Sequence, residues 1–228
     1  MIKRSKRYKQ AHASFDANKN YTLVDALSAL AAMPSVKFDE TVELSTRLDV
    51  DPKQSDQMVR GVVSLPHGSG RAVKVLVFTE NPQEALDAGA DFAGLDDVLQ
   101  KIQEGWLGFD VAIATTSATK QVRTAAKVLG PRGLMPNPKS GTVTDNIADG
   151  VKAVKAGRVE FKMDKTANLH IVVGRKSFDS SKLSDNIRTA IDVLNRARPE
   201  SIKGRFIKNL VLSSTMSPAI KLDPKEYN

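Results

Sequence analysis

A chain of 228 residues, 41% apolar and 26% charged, carries enough hydrophobic material for one large or two modest packed domains, which argues against general disorder. It has no cysteine, excluding disulfides, thiol catalysis and thiolate zinc sites, and no apolar run of about 18 residues, so no membrane association through a spanning helix is expected. The net charge of +8 points to a polyanionic partner: residues 1–66 carry +2, residues 67–158 carry +1 and residues 159–228 carry +5, so the two ends together hold +7.

The opening residues, Met1 to Lys9, are basic but lead into no apolar core, so they read as an arm and not as a secretory signal. Thr22 followed by Asp25 marks a helix start, and the helix through Ala26, Leu27 and Leu30 should stop before Pro34. Val42, Leu44, Thr46 and Leu48 alternate with Glu43, Ser45, Arg47 and Asp49, the pattern of a strand with one wet face. Residues 61–65 form a second strand, closed by Pro66-His67-Gly68-Ser69-Gly70.

The texture then changes. Residues 73–78 and 109–114 are compact apolar runs, as in strands covered on both faces. Helical patterns fall at 82–88, 96–104, 117–129 and 146–156, the last ending at Gly157. Strands alternating with helices predict parallel crossovers. The Pro/Gly-rich stretch from Leu129 to Thr142 is an irregular loop.

Beyond Gly157 alternation returns. Residues 159–163 and 169–173 read as a hairpin joined by Asp164-Lys165-Thr166-Ala167-Asn168. Ser180 or Ser181 is expected to cap a long helix through Leu183, Ile187, Ile191 and Leu194, ended by Pro199. A strand at 206–213 and a short one near Ile220 finish the chain. The expected fold is therefore a discontinuous α+β domain, 1–66 with 159–228, split by an inserted α/β Rossmann-like three-layer domain at 67–158. Glycines near both crossings suit a hinge.

Catalytic signatures are missing. His12, His67 and His170 have no convergent spacing for a metal, and no Gly-x-Ser-x-Gly elbow occurs. Asp39-Glu40 and Asp96-Asp97 read as a strand edge and a helix start. Gly68-Ser69-Gly70 resembles part of a dinucleotide loop, but it precedes its strand where that loop should follow one, and Phe78-Thr79-Glu80-Asn81-Pro82 lacks glycine. A nucleotide-binding enzyme using the middle segment is the competing reading.

Three features favour RNA. The first ten residues hold five Lys/Arg and no acid, suiting phosphates. Ser213-Ser214-Thr215-Met216-Ser217 sets four hydroxyls and one apolar side chain at a strand end, groups able to meet phosphate and the ribose 2′-hydroxyl. Lys37-Phe38 places a cation beside an aromatic that can pack on a base or ribose.

Residues 37–43, 59–68, 129–142 and 214–218 together resemble the bacterial large-subunit ribosomal protein L-one family, most specifically through Gly130-Pro131-Arg132-Gly133-Leu134-Met135-Pro136-Asn137-Pro138-Lys139. The resemblance spans essentially the whole chain. It implies an end-built domain holding most contacts to large-subunit ribosomal RNA, a hinged Rossmann-like insertion, and a place on the mobile stalk beside the tRNA exit site. Assistance to release of deacylated exit-site tRNA and repression of the protein's own operon mRNA are implied too. So are a monomer when free of the ribosome, no cofactor, and a cytoplasmic location. Carried over, Lys37, Phe38, Thr41, Lys165, Thr166, His170, Ser213, Thr215, Met216 and Ser217 are RNA-binding candidates, with Arg132 and Lys139 as secondary RNA or tRNA contacts. Ser217 and Ala167 stand where the family usually has glycine, which puts the hairpin turn and the close backbone approach at Ser217 in question.

Overall fold

The computed structural model describes residues 4–227, without the side chains of Ser55 and Lys139. In chain order the elements are α1 (Lys6–Ala13), α2 (Leu23–Ala32), β1 (Thr41–Leu48), β2 (Arg60–Ser64), β3 (Val75–Phe78), α3 (Pro82–Asp87), β4 (Phe92–Gly94), α4 (Asp96–Gln103), β5 (Val111–Ala114), α5 (Thr119–Val122), α6 (Ala126–Leu129), α7 (Ile147–Lys155), β6 (Arg158–Lys162), β7 (Asn168–Arg175), α8 (Ser180–Arg196), β8 (Ile207–Ser214) and β9 (Ile220–Leu222). Contacts divide the chain into two units. One joins the residues up to Gly70 with those from Val159 onward, and the other is Arg71–Arg158.

The end-built unit rests on a four-stranded sheet in the order β7-β1-β8-β9, in which β1 is antiparallel to both β7 and β8. Alternation in β1 buries Val42, Leu44, Thr46 and Leu48, and Leu169, Ile171, Val173, Leu210 and Leu212 point the same way from its neighbours. α2 and α8 supply the opposing layer through Leu27, Leu30, Leu183, Ile187, Ile191 and Leu194. Full burial of one such aliphatic side chain is worth about 1.5–3 kcal/mol, so this two-layer core dominates the unit's stability. The other sheet face is mostly polar, with Val172 and Val211 set among its hydroxyl and charged groups.

Several sequence expectations are corrected here. The hairpin of residues 159–163 with 169–173 does not form: β6 pairs with β2 in a separate two-stranded sheet, while β7 pairs with β1. The Phe161 ring lies over Gly61, where an added Cβ would come within 2.6 Å of it, and Arg60 Nε donates to Glu160 Oε1 at 2.9 Å, so packing and charge select β2 as partner. Asp179, not a serine, is the N-cap residue of α8, and it makes no side-chain capping bond. The basic arm contains a helix, α1, capped by Ser5, whose side chain accepts from the Tyr8 amide. The division by contacts falls after Gly70, four residues beyond Pro66. Asn186, fully buried, accepts from the His67 amide at 3.1 Å and donates to the Gly68 carbonyl at 3.1 Å and the Val173 carbonyl at 2.8 Å, tying that loop to the end-built unit.

The inserted unit has three parallel strands in the order β4-β3-β5. β3 is buried throughout, with Leu76 and Phe78 packed toward α4–α6 and Val75 and Val77 toward α3 and α7. Three departures stand out. The short strand β4 was not anticipated. Residues 117–129 form α5, a 3₁₀ turn and α6 in place of one helix, and the apolar runs at 73–78 and 109–114 enter the sheet only from Val75 and Val111.

Candidate RNA interface

The polar face of the end-built sheet is organised in cross-strand rows. Thr41 lies opposite Arg175, and Glu43 sits between Val172 and Ser213. Ser45 sits between His170 and Val211, and Arg47 between Asn168 and Asn209. From Thr41 to Arg47 the strand rises ~20 Å. Its hydroxyl, carboxylate, imidazole and guanidinium groups thus line one extended surface. His170 Nδ1 lies 2.9 Å from Glu43 Oε1 and 3.1 Å from Ser45 Oγ, which fixes its ring on that face.

At the Thr41 end the chain is locked. The Thr41 amide donates to Thr215 Oγ1 at 3.0 Å, the Thr215 amide donates to the Thr41 carbonyl at 3.0 Å, and Arg175 Nη1 donates to Thr41 Oγ1 and to the Asp39 carbonyl. Beneath this lies Glu40, only 1% exposed. Its Oε2 accepts from Ser214 Oγ at 2.8 Å and from the Met216 amide at 3.0 Å, while Oε1 lies 3.8 Å from Lys176 Nζ, an ion pair without a hydrogen bond. Asp39 accepts from both the amide and the hydroxyl of Ser177. Glu40 therefore shapes the surface from below, and Asp39 from its exposed edge.

What this framework pushes outward is apolar. Phe38 is 54% exposed and Met216 46%, large hydrophobic groups that a soluble protein does not leave bare without cost. Lys37 precedes Phe38, and Arg7 Nη2 reaches the Met216 carbonyl at 2.7 Å, bringing α1 to the same end. Thus Lys37, Phe38, Thr41, Thr215, Met216 and Ser217 share one end of the sheet, with Ser213 and His170 further along its face. Lys165 and Thr166 lie at the opposite end, because Asn168 pairs with Arg47 and not with Thr41.

Not every hydroxyl in the strand-end motif faces outward. Ser214 is buried against Glu40, and Ser217 Oγ accepts from the Ser214 amide at 2.8 Å and donates to the Pro218 carbonyl at 3.0 Å. Ser217 does not adopt a positive φ, so a side chain is accommodated there without backbone strain. Ala167 is different. With φ at 63°, it is the non-glycine residue in the left-handed region among those described, in a turn held by Asp164. Asp164 accepts from the Asn168 and Thr166 amides and from the Thr166 hydroxyl, and these bonds, the Asn168 amide first, bring its carboxyl down to about 2.

Sequence reasoning missed Glu40, Arg7 and Arg175. A signal for Glu40 existed: extending the inward phase of Val42 back by one step places residue 40 among the buried positions. Arg7 and Arg175 gave none, since their partners lie 209 and 134–136 residues away.

In the inserted unit, Gly68 and Gly70 precede the sheet and belong to the other unit, and the β3–α3 connection is Thr79-Glu80-Asn81. No glycine-lined helix N-terminus is therefore presented to a phosphate at the end of β3. Arg132 is exposed beside Gly133, whose φ is 71°. The Lys139 side chain lies outside the described residues.

A model of the Ribosomal protein L1p/L10e family matches residues 29–218. Large ribosomal subunit protein uL1 of Kosmotoga olearia is 53% identical over 225 residues, covering 98% of this chain and 97% of the relative. That of Persephonella marina is 52% identical over 229 residues, 98% and 95% of the two chains, and that of Bifidobacterium longum is 47% identical over 226 residues, 98% of each. These are ribosomal proteins and not enzymes, so the nucleotide-binding enzyme is set aside. The chain belongs to the ribosomal protein L1p/L10e family.

Proposed function

We propose that this protein is a structural constituent of the large ribosomal subunit that binds large-subunit ribosomal RNA at the mobile stalk, through the polar face and Thr41 end of the β7-β1-β8 sheet. One observation carries the reading: Glu40, Thr41 and Thr215 interlock beneath two exposed apolar side chains, Phe38 and Met216. Such a fixed surface suits recognition of a folded RNA shape, with hydroxyls for ribose and phosphate and flanking cations for salt-sensitive affinity. The end-built domain is the RNA-binding one. The inserted domain, which has ten acids against eleven bases from Arg71 to Arg158, contributes little to ribosomal RNA affinity and meets exit-site tRNA through Arg132 and Lys139.

The same reading has the protein act as a monomer when free, assist release of deacylated tRNA, and repress its own operon by binding a messenger site that mimics the ribosomal one. The test compares the purified protein on a stalk-region RNA fragment and on an unrelated duplex RNA across salt concentrations. A preference for the stalk fragment that persists as salt rises supports the proposal, and messenger leader RNA should then compete for the same surface. Equal binding to both RNAs, erased by salt, would reduce the protein to a non-specific polycation.

A further inference from the structure

Arg4, Ser5, Arg7 and Tyr8 of the N-terminal segment face Thr215, Met216 and Ser217 across a concavity of about 300 Å³, at the small end of ligand-pocket sizes. It is built, not incidental. Arg7 Nη2 donates to the Met216 carbonyl at 2.7 Å, and its Nη1 lies 3.5 Å from the Pro34 carbonyl, pinning α1 to the strand end. The Arg4 guanidinium lies 4.3 Å from the Tyr8 ring centroid. Behind Tyr8, His12 stands 6.4 Å away and Phe15 a further 6.0 Å, the latter packed on the core, so the Tyr8 ring is braced before any ligand arrives. α1 has no acidic residue in its first turn.

A concavity lined by a guanidinium stacked on an aromatic ring and by a thioether fits one chemistry best. An unpaired base can stack on the Tyr8–Arg4 pair, the thioether adapts to its edge, and the remaining guanidinium N–H groups meet the adjoining phosphate. We infer that this pocket takes one unstacked nucleotide of the bound RNA, and that α1 is a specific part of the interface rather than a loose basic arm. The inference rests on the RNA reading proposed above.

The test measures affinities for the stalk fragment and the unrelated duplex, at several salt concentrations, for Tyr8→Ala, Tyr8→Leu, Tyr8→Phe and the double variant Lys6→Gln/Lys9→Gln. Tyr8→Ala and Tyr8→Leu should each bind the stalk fragment roughly tenfold more weakly with an unchanged salt slope, while Tyr8→Phe binds as wild type. Tyr8→Leu keeps apolar bulk, so its loss together with an unaltered melting curve separates stacking from folding. The double variant should weaken both RNAs alike and flatten the slope. Replacing the unpaired nucleotides of the fragment one at a time by abasic sites should yield one position at which wild type and Tyr8→Leu bind equally. If wild type prefers the stalk fragment but Tyr8→Leu binds it just as well, or loses affinity equally for both RNAs, the pocket assignment falls alone. If wild type shows no preference, both readings fall.

Discussion

The backbones of Thr41 and Thr215, 174 residues apart, hold each other through the Thr215 side chain: its hydroxyl accepts from the Thr41 amide at 3.0 Å and lies 3.3 Å from the Thr41 carbonyl, to which it donates. One side chain thus closes the end of the β1–β8 ladder and sets the height of Met216 beside it. Thr215→Ala should cost about 1–3 kcal/mol of stalk RNA affinity, the scale for losing a hydrogen bond from a desolvated contact. Thr215→Ser should retain affinity, because it restores the hydroxyl. Filter binding at two salt concentrations checks this, and wild-type affinity for Thr215→Ala would remove the strand end from the interface.

Glu40 carries the largest expected stability effect. Removing its carboxylate leaves Ser214 Oγ and the Met216 amide without their acceptor in a buried setting, and takes the counter-charge from Lys176, which keeps only the Met33 carbonyl. Glu40→Ala should destabilise the end-built unit by about 3 kcal/mol, whereas Glu40→Gln, whose amide oxygen still accepts, should lose less. Urea titrations of both variants measure the difference. A Glu40→Ala midpoint equal to that of wild type would show that the buried carboxylate contributes nothing to the frame.

Ala167 pays a backbone penalty that glycine would not. A left-handed alanine costs about 1–2 kcal/mol, of which the greater freedom of glycine in the unfolded chain takes back part. Ala167→Gly should therefore raise stability by a net ~0.5–1 kcal/mol, visible as a higher denaturant midpoint with an unchanged slope. A lower midpoint would mean that the buried methyl outweighs the strain.

The turn also predicts a pH dependence. Asp164 titrates near 2 in the folded chain against 3.8 for an ordinary aspartate, because the Asn168 amide and then the Thr166 groups donate to its charged form. A depressed carboxyl stabilises the fold above the unfolded value, and that stabilisation is lost as pH falls from about 4 toward about 2. Wild type should exceed Asp164→Asn in stability at neutral pH, with the gap closing across that acid window. A pH-independent gap would mean that the hydrogen bonds do not depend on the charge.

The sequence by itself determined most of the apolar core positions and where the texture changes. The period-two pattern of residues 42–48, the unbroken apolar β3 and the helical period of α8 each follow from local chemistry, as does Thr22 at the start of α2, where Oγ1 accepts from the Asp25 amide. Four strings, the Pro/Gly-rich one above all, also carried the family resemblance, and the acid-free first ten residues already pointed to phosphate. Strand partners were not legible, because β6 and β7 are equally good strands for each other and for β2 and β1. The choice was made by the fit of Phe161 over Gly61 and the core beneath β1, at sequence separations near 100. Only the tertiary structure decided that Glu40 is an internal brace, that Ser214 faces inward, that Lys165 sits far from Thr41, and that α1 docks through Arg7 on Met216. The physical reason is common to all four. A polar side chain reads the same in sequence whether it faces water or a distant partner, and which of the two it meets is settled only when the core brings remote segments together.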